Sequence, residues 1–136
     1  MDTIEPAQAR ILKQLAKRLK ATPTVFNLTG PRITIDEADS DTLPRIVVLP
    51  GKHRPAPESD EPVLRQCDVK VRIDAVDEAG LLKLAGFVRK AVASKGFEVD
   101  RQKFICGDTG APIADDAGGW SLTDTWATFH VQQPAN

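Results

Sequence analysis

The spacing of apolar residues along the chain predicts two amphipathic helices. The first covers residues 5–20, where four large apolar positions recur at helical spacing: Ile11, Leu12, Leu15 and Leu19. The second begins after Asp77, whose side chain can cap it, and continues to about Ser94. Gly96 is expected to end this second helix in a left-handed conformation. Each helix therefore has one face suited to a hydrophobic core.

Alternating or continuous apolar runs predict the strands of a sheet. The predicted strands cover residues 24–28, 33–35, 45–49, 63–75, 97–106 and 120–131. The run at 45–49 is almost wholly apolar, which indicates a strand covered on both faces. In the last strand both faces carry apolar residues, so one of these faces is a candidate for contact with a partner subunit.

This order of elements predicts an α+β fold, with a mostly antiparallel sheet of four to five strands and two helices packed on one face. A chain of 136 residues has the size of one domain, so residues 1–136 are interpreted as a single unit. Two segments rich in Gly, Pro and acidic residues interrupt the pattern. We expect residues 51–62 and 107–119 to form long loops and residues 133–136 to be a frayed tail.

The charge balance and the apolar runs exclude several classes of protein. Lys and Arg number 18 against 19 Asp and Glu, so the basic excess typical of a sequence-reading DNA-binding domain is absent. No apolar run approaches the roughly 20 residues of a membrane span. The N-terminal residues begin acidic and predict no secretion signal. Cys67 and Cys106 are therefore expected to be reduced thiols.

No pattern of residues argues for an enzyme. His53 and His130 are the only histidines, and no Gly-x-Ser-x-Gly nucleophile motif accompanies them. A zinc site made of both cysteines and both histidines would lack the close ligand spacing of known zinc motifs. The pair Asp115 and Asp116 could bind a hard cation, but the calcium-loop spacing is absent. We expect no catalytic residue, no bound metal and no cofactor.

Charged and aromatic side chains are then the candidates for protein contacts. Residues 1–20 carry 5 basic and 2 acidic groups, whereas residues 36–61 carry 3 basic and 7 acidic groups. Such asymmetry can orient a subunit between unlike partners. Tryptophan is a common interface anchor, although core positions remain the alternative for both tryptophans. The candidate interface residues are Lys13, Lys17, Lys20, His53, Arg54, Glu58, Asp60, Glu61, Asp115, Asp116, Trp120 and Trp126.

Two short motifs, in order, resemble the tail terminator proteins of bacteriophages with long non-contractile tails, the lambda minor tail protein U-like family. The first motif is Ile-Asp-Glu-Ala-Asp at residues 35–39, followed by Leu43, Pro44 and an apolar strand. The second is Asp-Asp-Ala-Gly-Gly-Trp-Ser at residues 115–121, which runs into the closing strand. With the helices in matching order, the likeness covers residues 5–132.

The resemblance implies a structural virion protein without catalytic activity. Members of this family form a hexameric ring that caps the tail tube, terminates tail polymerisation and provides the surface for head–tail joining. The implied partners are further copies of the chain, the tail tube protein and the head–tail connector or neck protein. Genomic DNA would pass through the ring without sequence-specific binding, and no membrane is involved. The implied location is the head-proximal end of the tail in the virion, after assembly in the bacterial cytoplasm.

Three other functions remain open from the sequence. A phage neck or head–tail joining protein would share the small ring-forming α+β character and differ in its bound partner. A tail tube subunit would polymerise into long tubes. A small metal-dependent enzyme would use the acidic loop as its site.

Overall fold

The computed structural model describes residues 6–55, 64–94, 96–99, 102–116 and 118–131. The elements in chain order are α1 (Pro6–Lys20), α2 (Pro23–Thr29), β1 (Ile33–Ile35), β2 (Arg45–Pro55), β3 (Leu64–Ala75), α3 (Glu78–Val92), β4 (Glu98–Val99), β5 (Gln102–Lys103), β6 (Ile105–Asp108), β7 (Ile113–Ala114) and β8 (Trp120–Val131). The positions predicted for the first helix and the last strand are confirmed.

The strands form one main sheet in the order β1-β2-β3-β8-β6, with β7 also paired to β8. β1 runs parallel to β2, and all the other pairs in this sheet are antiparallel. The long strands β3 and β8 pair along their whole length, from Leu64 opposite Val131 to Ala75 opposite Trp120. β4 and β5 make a separate two-stranded ribbon. The prediction of an α+β fold with a mostly antiparallel sheet is confirmed.

The hydrophobic core lies between the helices and one face of the sheet. In β3 the residues Val69, Val71 and Ile73 belong to this core, and in β8 Leu122 and Trp126 do so. The apolar stripe of α1 is almost completely buried by the same cluster. We call this face of the sheet the helix side. Residues that alternate with the core positions point to the opposite face, the far side, because successive side chains of a strand alternate.

The N-terminus of α3 matches the sequence prediction, whereas its C-terminus differs from it. The backbone N–H of Gly80 donates to Asp77 Oδ1 at 2.7 Å, so the predicted cap is confirmed. The helix ends at Val92, with Ala93 in a right-handed conformation as its C-cap. Gly96 does adopt a positive φ of 90°, but it lies four residues past the helix. The Ser94 N–H bonds to the Ala91 carbonyl and closes the helix before Gly96 is reached.

The strand predicted at residues 24–28 is wrong, because these residues form α2. Pro23 occupies the first turn, where a missing N–H is harmless and a fixed φ favours a helix. The Thr22 carbonyl accepts from the N–H groups of Val25 and Phe26. Val25 and Thr29, four residues apart, are buried together. Within the described ranges, the helix layer therefore contains three helices rather than the two expected.

The strand predicted at residues 97–106 is also wrong as a single element. The chain forms the short ribbon of β4 and β5 and then starts β6 at Ile105. Phe97 precedes β4 and Phe104 follows β5, so the two residues flank the same end of the ribbon; both are buried and make an edge-to-face contact with ring centroids 6.1 Å apart. Burial of both rings requires the chain to fold back between them, which a single straight strand cannot do.

The two predicted long loops contain strand residues. Residues 51–55 continue β2 against β3 after an irregularity between Pro50 and His53. Prolines are tolerated there because β1 pairs only with residues 46–48, so the rest of β2 is an edge strand. In the second predicted loop, residues 107–108 belong to β6 and 113–114 form β7, because β8 offers both a partner. Residues 56–63 and 132–136, with the predicted tail, lie outside the described residues.

Candidate functional site

The exposed face of α1 carries a row of cations that we call the basic stripe (Arg10, Lys13, Lys17 and Lys20). Their spacing of three or four residues places all four on one side of the helix, and all four are exposed. The helix contains no acidic residue. The last-turn lysines also favour the helix because positive charge complements the helix C-terminus. The three lysines predicted as interface residues are therefore brought together on one surface.

Arg18 lies on the same helix but outside the basic stripe, and its guanidinium contacts the chain after α3. Its Nη1 donates to the Gly96 carbonyl at 3.4 Å, and its Cζ lies 5.8 Å from the centroid of the Phe97 ring. These contacts tie the chain after α3 to the end of α1. Arg18 therefore contributes to the fold and is not counted in the basic stripe.

A second charged surface is the acidic connector (residues 36–44) between β1 and β2. Asp36, Glu37, Asp39 and Asp41 are all exposed there. Asp41 lies 4.0 Å from the Arg45 guanidinium, a distance at the limit of an ion pair. The connector begins with Asp36 at a φ of 71°, a left-handed conformation that aspartate tolerates better than most residues.

The connector is anchored on the far side of the sheet. Thr34, which lies opposite Val47 in the register, donates through its hydroxyl to the Glu37 carbonyl at 2.8 Å. Arg45 donates to the Ser40 carbonyl and, through Nε, to Asp74 Oδ2 at 2.8 Å. Asp74 alternates with core residues of β3, so this ion pair lies on the face opposite the helices. The acidic connector and the basic stripe therefore occupy opposite sides of the sheet.

A buried ion pair links α3 to β8 and to the segment between β6 and β7. Arg89 donates to both carboxylate oxygens of Asp124, at 2.7 and 2.8 Å, and the Asp124 side chain is fully buried. Asp124 Oδ1 also accepts from the Gly110 N–H at 2.8 Å. The hydrogen bond to Asp124 raises the pKa of Arg89 above its ordinary value. This pair was not predicted from the sequence, although Asp124 lies at a core-facing position between Leu122 and Trp126, and that position was an available signal.

The free edge of the sheet at β6 and β7 exposes large apolar side chains. Ile105 on β6 is 58% exposed and Ile113 on β7 is 65% exposed. Edge strands with exposed apolar residues favour pairing with another chain. Neither residue was predicted from the sequence as an interface residue, because β6 and β7 are too short to show an alternating pattern.

The turn before β8 carries three of the predicted interface residues. The N–H of Asp115 donates to the Gly119 carbonyl at 2.8 Å, and Asp115 Oδ1 accepts from the Gly119 N–H at 3.3 Å. Asp115 and Asp116 are exposed, whereas Trp120 is half-buried and packs against the core. The hydrogen bonds between Asp115 and Gly119 therefore hold the two sides of this turn together, and Asp116 is exposed beside them.

The remaining predicted interface residues fall in different places. Trp126 is 3% exposed and lies in the core, and its indole N–H has no partner among the described residues. His53 and Arg54 lie in β2. Glu58, Asp60 and Glu61 are outside the described residues. The structure thus brings three lysines together on α1 and places two aspartates on the turn. It places Trp126 in the core, which was the alternative to an interface position.

The chemistry of the cysteines and acids matches no activated site in the described part of the chain. Cys67 is buried and Cys106 is exposed, and they form no disulfide. Burial, together with the nearby Asp124, raises the pKa of the Cys106 thiol, which keeps it protonated. Among the described residues no group of three or more His, Cys, Asp or Glu could hold a metal ion. No helix in those ranges is long and apolar enough to cross a membrane.

No family model and no curated protein matches the chain. A chain in the virion of a native gene transfer agent particle is 14% identical, with a TM-score of 0.69 over 93% of this chain and 98% of that one. The bacteriophage SPP1 gp17 protein is 13% identical, with a TM-score of 0.62 over 99% of both chains.

The chain has the fold of these two proteins. Each match spans nearly the full length of both chains, so the likeness concerns the whole architecture and not one motif. The similarity to phage-type particle proteins that the sequence motifs indicated is confirmed at the level of the fold.

Proposed function

We propose that this protein is a non-enzymatic structural subunit of a phage-type virion, and specifically a tail terminator. The observation that carries the proposal is the fold match to the gene transfer agent virion chain and to SPP1 gp17, which covers at least 93% of each chain compared. The two sequence motifs at residues 35–39 and 115–121 support the narrower assignment to a terminator. In this role the protein resides in the virion, at the head-proximal end of the tail.

The mechanism is geometric. Identical subunits close into a ring, here proposed to be a hexamer, through contacts between two unlike side faces. One axial face of the ring matches the last ring of the tail tube protein. The opposite axial face differs from that of a tube subunit, so no further tube ring is added and the connector or neck protein docks instead. Genomic DNA passes through the central opening without base-specific contacts.

The structure supplies surfaces suited to such a ring. The flank at β1 is followed by an acidic connector, whereas the flank at β6 and β7 exposes Ile105 and Ile113. A subunit whose surfaces differ in this way fits heterologous contacts, in which two unlike patches meet. We further propose that Asp115 and Asp116, which project from a hydrogen-bonded turn, contribute to an axial contact.

The proposal is tested by light scattering over a range of protein concentrations, with negative-stain images of the same samples. Closed rings that do not stack are expected, with a mass of about 89 kDa for six copies of the 14.8 kDa chain. Long tubes formed by the purified protein would instead identify a tail tube subunit and refute the terminator.

A binding experiment separates a terminator from a neck protein. Purified tails whose head-proximal end is open are mixed with the protein and imaged. A terminator is expected to cap tube ends directly, whereas a neck or joining protein would bind only tails that already carry a terminator. Failure to bind any tail end would contradict the proposed function.

A further inference from the structure

We propose that the basic stripe of one copy docks on the acidic connector of a second copy, so that subunits associate head to tail. The inference deepens the proposed function, on which it rests, by naming the surfaces that join neighbouring subunits. The partner of each surface is a second copy of this chain, because the same chain carries two surfaces of complementary charge.

The charges of the two surfaces match in number and are opposite in sign. The basic stripe has four exposed cations on a helix without acids, and the acidic connector has four exposed acids at residues 36, 37, 39 and 41. Lys13, Lys17 and Lys20 form no ion pair with a described residue. Among those residues, the connector makes one ion pair, the 4.0 Å approach of Asp41 to Arg45. Like charges at helical spacing repel one another, so contact with a surface of opposite sign reduces the repulsion within each surface.

The positions of the two surfaces exclude pairing within one chain. The basic stripe faces outward from the helix side, because the opposite face of α1 is buried against the sheet. The connector is held on the far side by Thr34 and Arg45. The sheet lies between the two surfaces, so each can reach its complement only on another copy. A contact between unlike patches is heterologous, and repeated contacts of this kind close into a ring or extend into a filament.

The test uses two charge-reversed forms of the full chain and their mixture. Form A carries Lys13→Glu, Lys17→Glu and Lys20→Glu, and form B carries Glu37→Lys, Asp39→Lys and Asp41→Lys. Asp36 is left unchanged because its left-handed backbone does not suit lysine. Each form then has two surfaces of like sign and is expected to associate about 10- to 100-fold more weakly than the natural chain at low salt.

Mixing A and B in equal amounts is the decisive step. Every A surface is acidic and every B surface is basic, so alternating copies restore both contacts, and a ring with an even number of subunits can close. Light scattering of the mixture should recover the assembly that A and B lose separately. Salt at about 0.5 M should weaken the natural assembly, because exposed charge pairs are screened.

A matched control reverses two cations outside the stripe. Lys83→Glu with Lys90→Glu changes exposed lysines of α3, which the proposed contact does not use. This variant should assemble like the natural chain, and thermal unfolding checks that every variant is folded. Zero-length carbodiimide crosslinking of mixed light and heavy-isotope chains should join Lys17 of one copy to Asp39 of another.

Several results would overturn the inference, and none depends on the terminator assignment. It fails if A and B assemble normally, if their mixture recovers nothing, or if the α3 control weakens assembly as much as A does. It also fails if the natural chain stays monomeric up to about 1 mM at low salt, where even weak contacts are populated. A natural chain that caps purified tails while A and B do so equally well would leave the proposed function standing and remove only this contact.

Discussion

Replacing Asp124 with asparagine removes a negative charge from a fully buried side chain while nearly preserving its shape. In the folded protein this carboxylate accepts two hydrogen bonds from Arg89, at 2.7 and 2.8 Å, and a third from the Gly110 N–H at 2.8 Å. The asparagine oxygen can keep one of these donors. The guanidinium of Arg89 would lose its counter-ion and face an amide.

The expected loss of stability follows from the burial of the two partners. Breaking a well-buried ion pair by changing one partner typically costs about 3–5 kcal/mol. The Arg89 side chain is 30% exposed, so water can partly replace the lost carboxylate. We therefore expect Asp124→Asn to lower the free energy of unfolding by about 2–3 kcal/mol. The corresponding fall in Tm is about 10 °C for a domain of this size.

Urea unfolding followed by tryptophan fluorescence measures this loss. Asp108→Asn, an exposed carboxylate on the neighbouring strand β6, is the matched control and should change stability by less than about 0.5 kcal/mol. A double-mutant cycle with Arg89→Met should give a coupling energy of about 1.5 kcal/mol or more. A loss below about 1 kcal/mol for Asp124→Asn, or a coupling energy near zero, would refute the assignment of the pair as a stabilising link.

Three further predictions concern single positions. Gly110→Ala should destabilise the protein by about 1–3 kcal/mol, because a Cβ there would lie 2.2 Å from the Thr123 carbonyl oxygen. Gly86→Ala should stabilise it by about 0.5–1 kcal/mol, because a Cβ at this position of α3 meets no other atom and alanine favours the helix. Urea unfolding of both variants checks the contrast. Asp77→Ala should cost about 1 kcal/mol through loss of the α3 cap, and an unchanged midpoint would contradict it. The raised pKa of Cys106 predicts that its alkylation by iodoacetamide, followed by mass spectrometry against pH, has a higher midpoint in the folded protein than in the urea-unfolded chain. Stability should fall as pH rises through that midpoint, and equal midpoints in the two states would contradict the shift.

The longest elements could be predicted because their periods repeat often enough to be unambiguous. α1 and β8 extend over 15 and 12 residues and match the sequence prediction closely. α2 has 7 residues, too few for a helical period to outweigh the strand preference of a Thr-Val-Phe run. Its helical form depends on Pro23 at the first turn and on burial beside α1 and α3, and that burial is a property of the tertiary structure.

The candidate site was predictable only where it depends on local spacing. The lysines of the basic stripe share one face of one helix, so their grouping is visible in the sequence. The anchoring of the acidic connector depends on Arg45 and Asp74, which are 29 residues apart, and the buried pair of Arg89 and Asp124 joins residues 35 apart. No local pattern encodes such pairings, because they follow from strand register and from how α3 packs on the sheet.

The charged surfaces and the buried ion pair can be mutated independently. The assembly experiments can therefore distinguish loss of contact between copies from loss of folding. The stripe lysines and connector acids are exposed, and Lys13, Lys17 and Lys20 make no ion pair to described residues, so their reversal should leave the folded subunit nearly as stable as before. Asp124 has the opposite character, since it is fully buried and reaches no surface. A form that loses assembly but keeps its Tm therefore reports on contact between copies. A form that loses both assembly and Tm reports instead on the fold that positions those contacts.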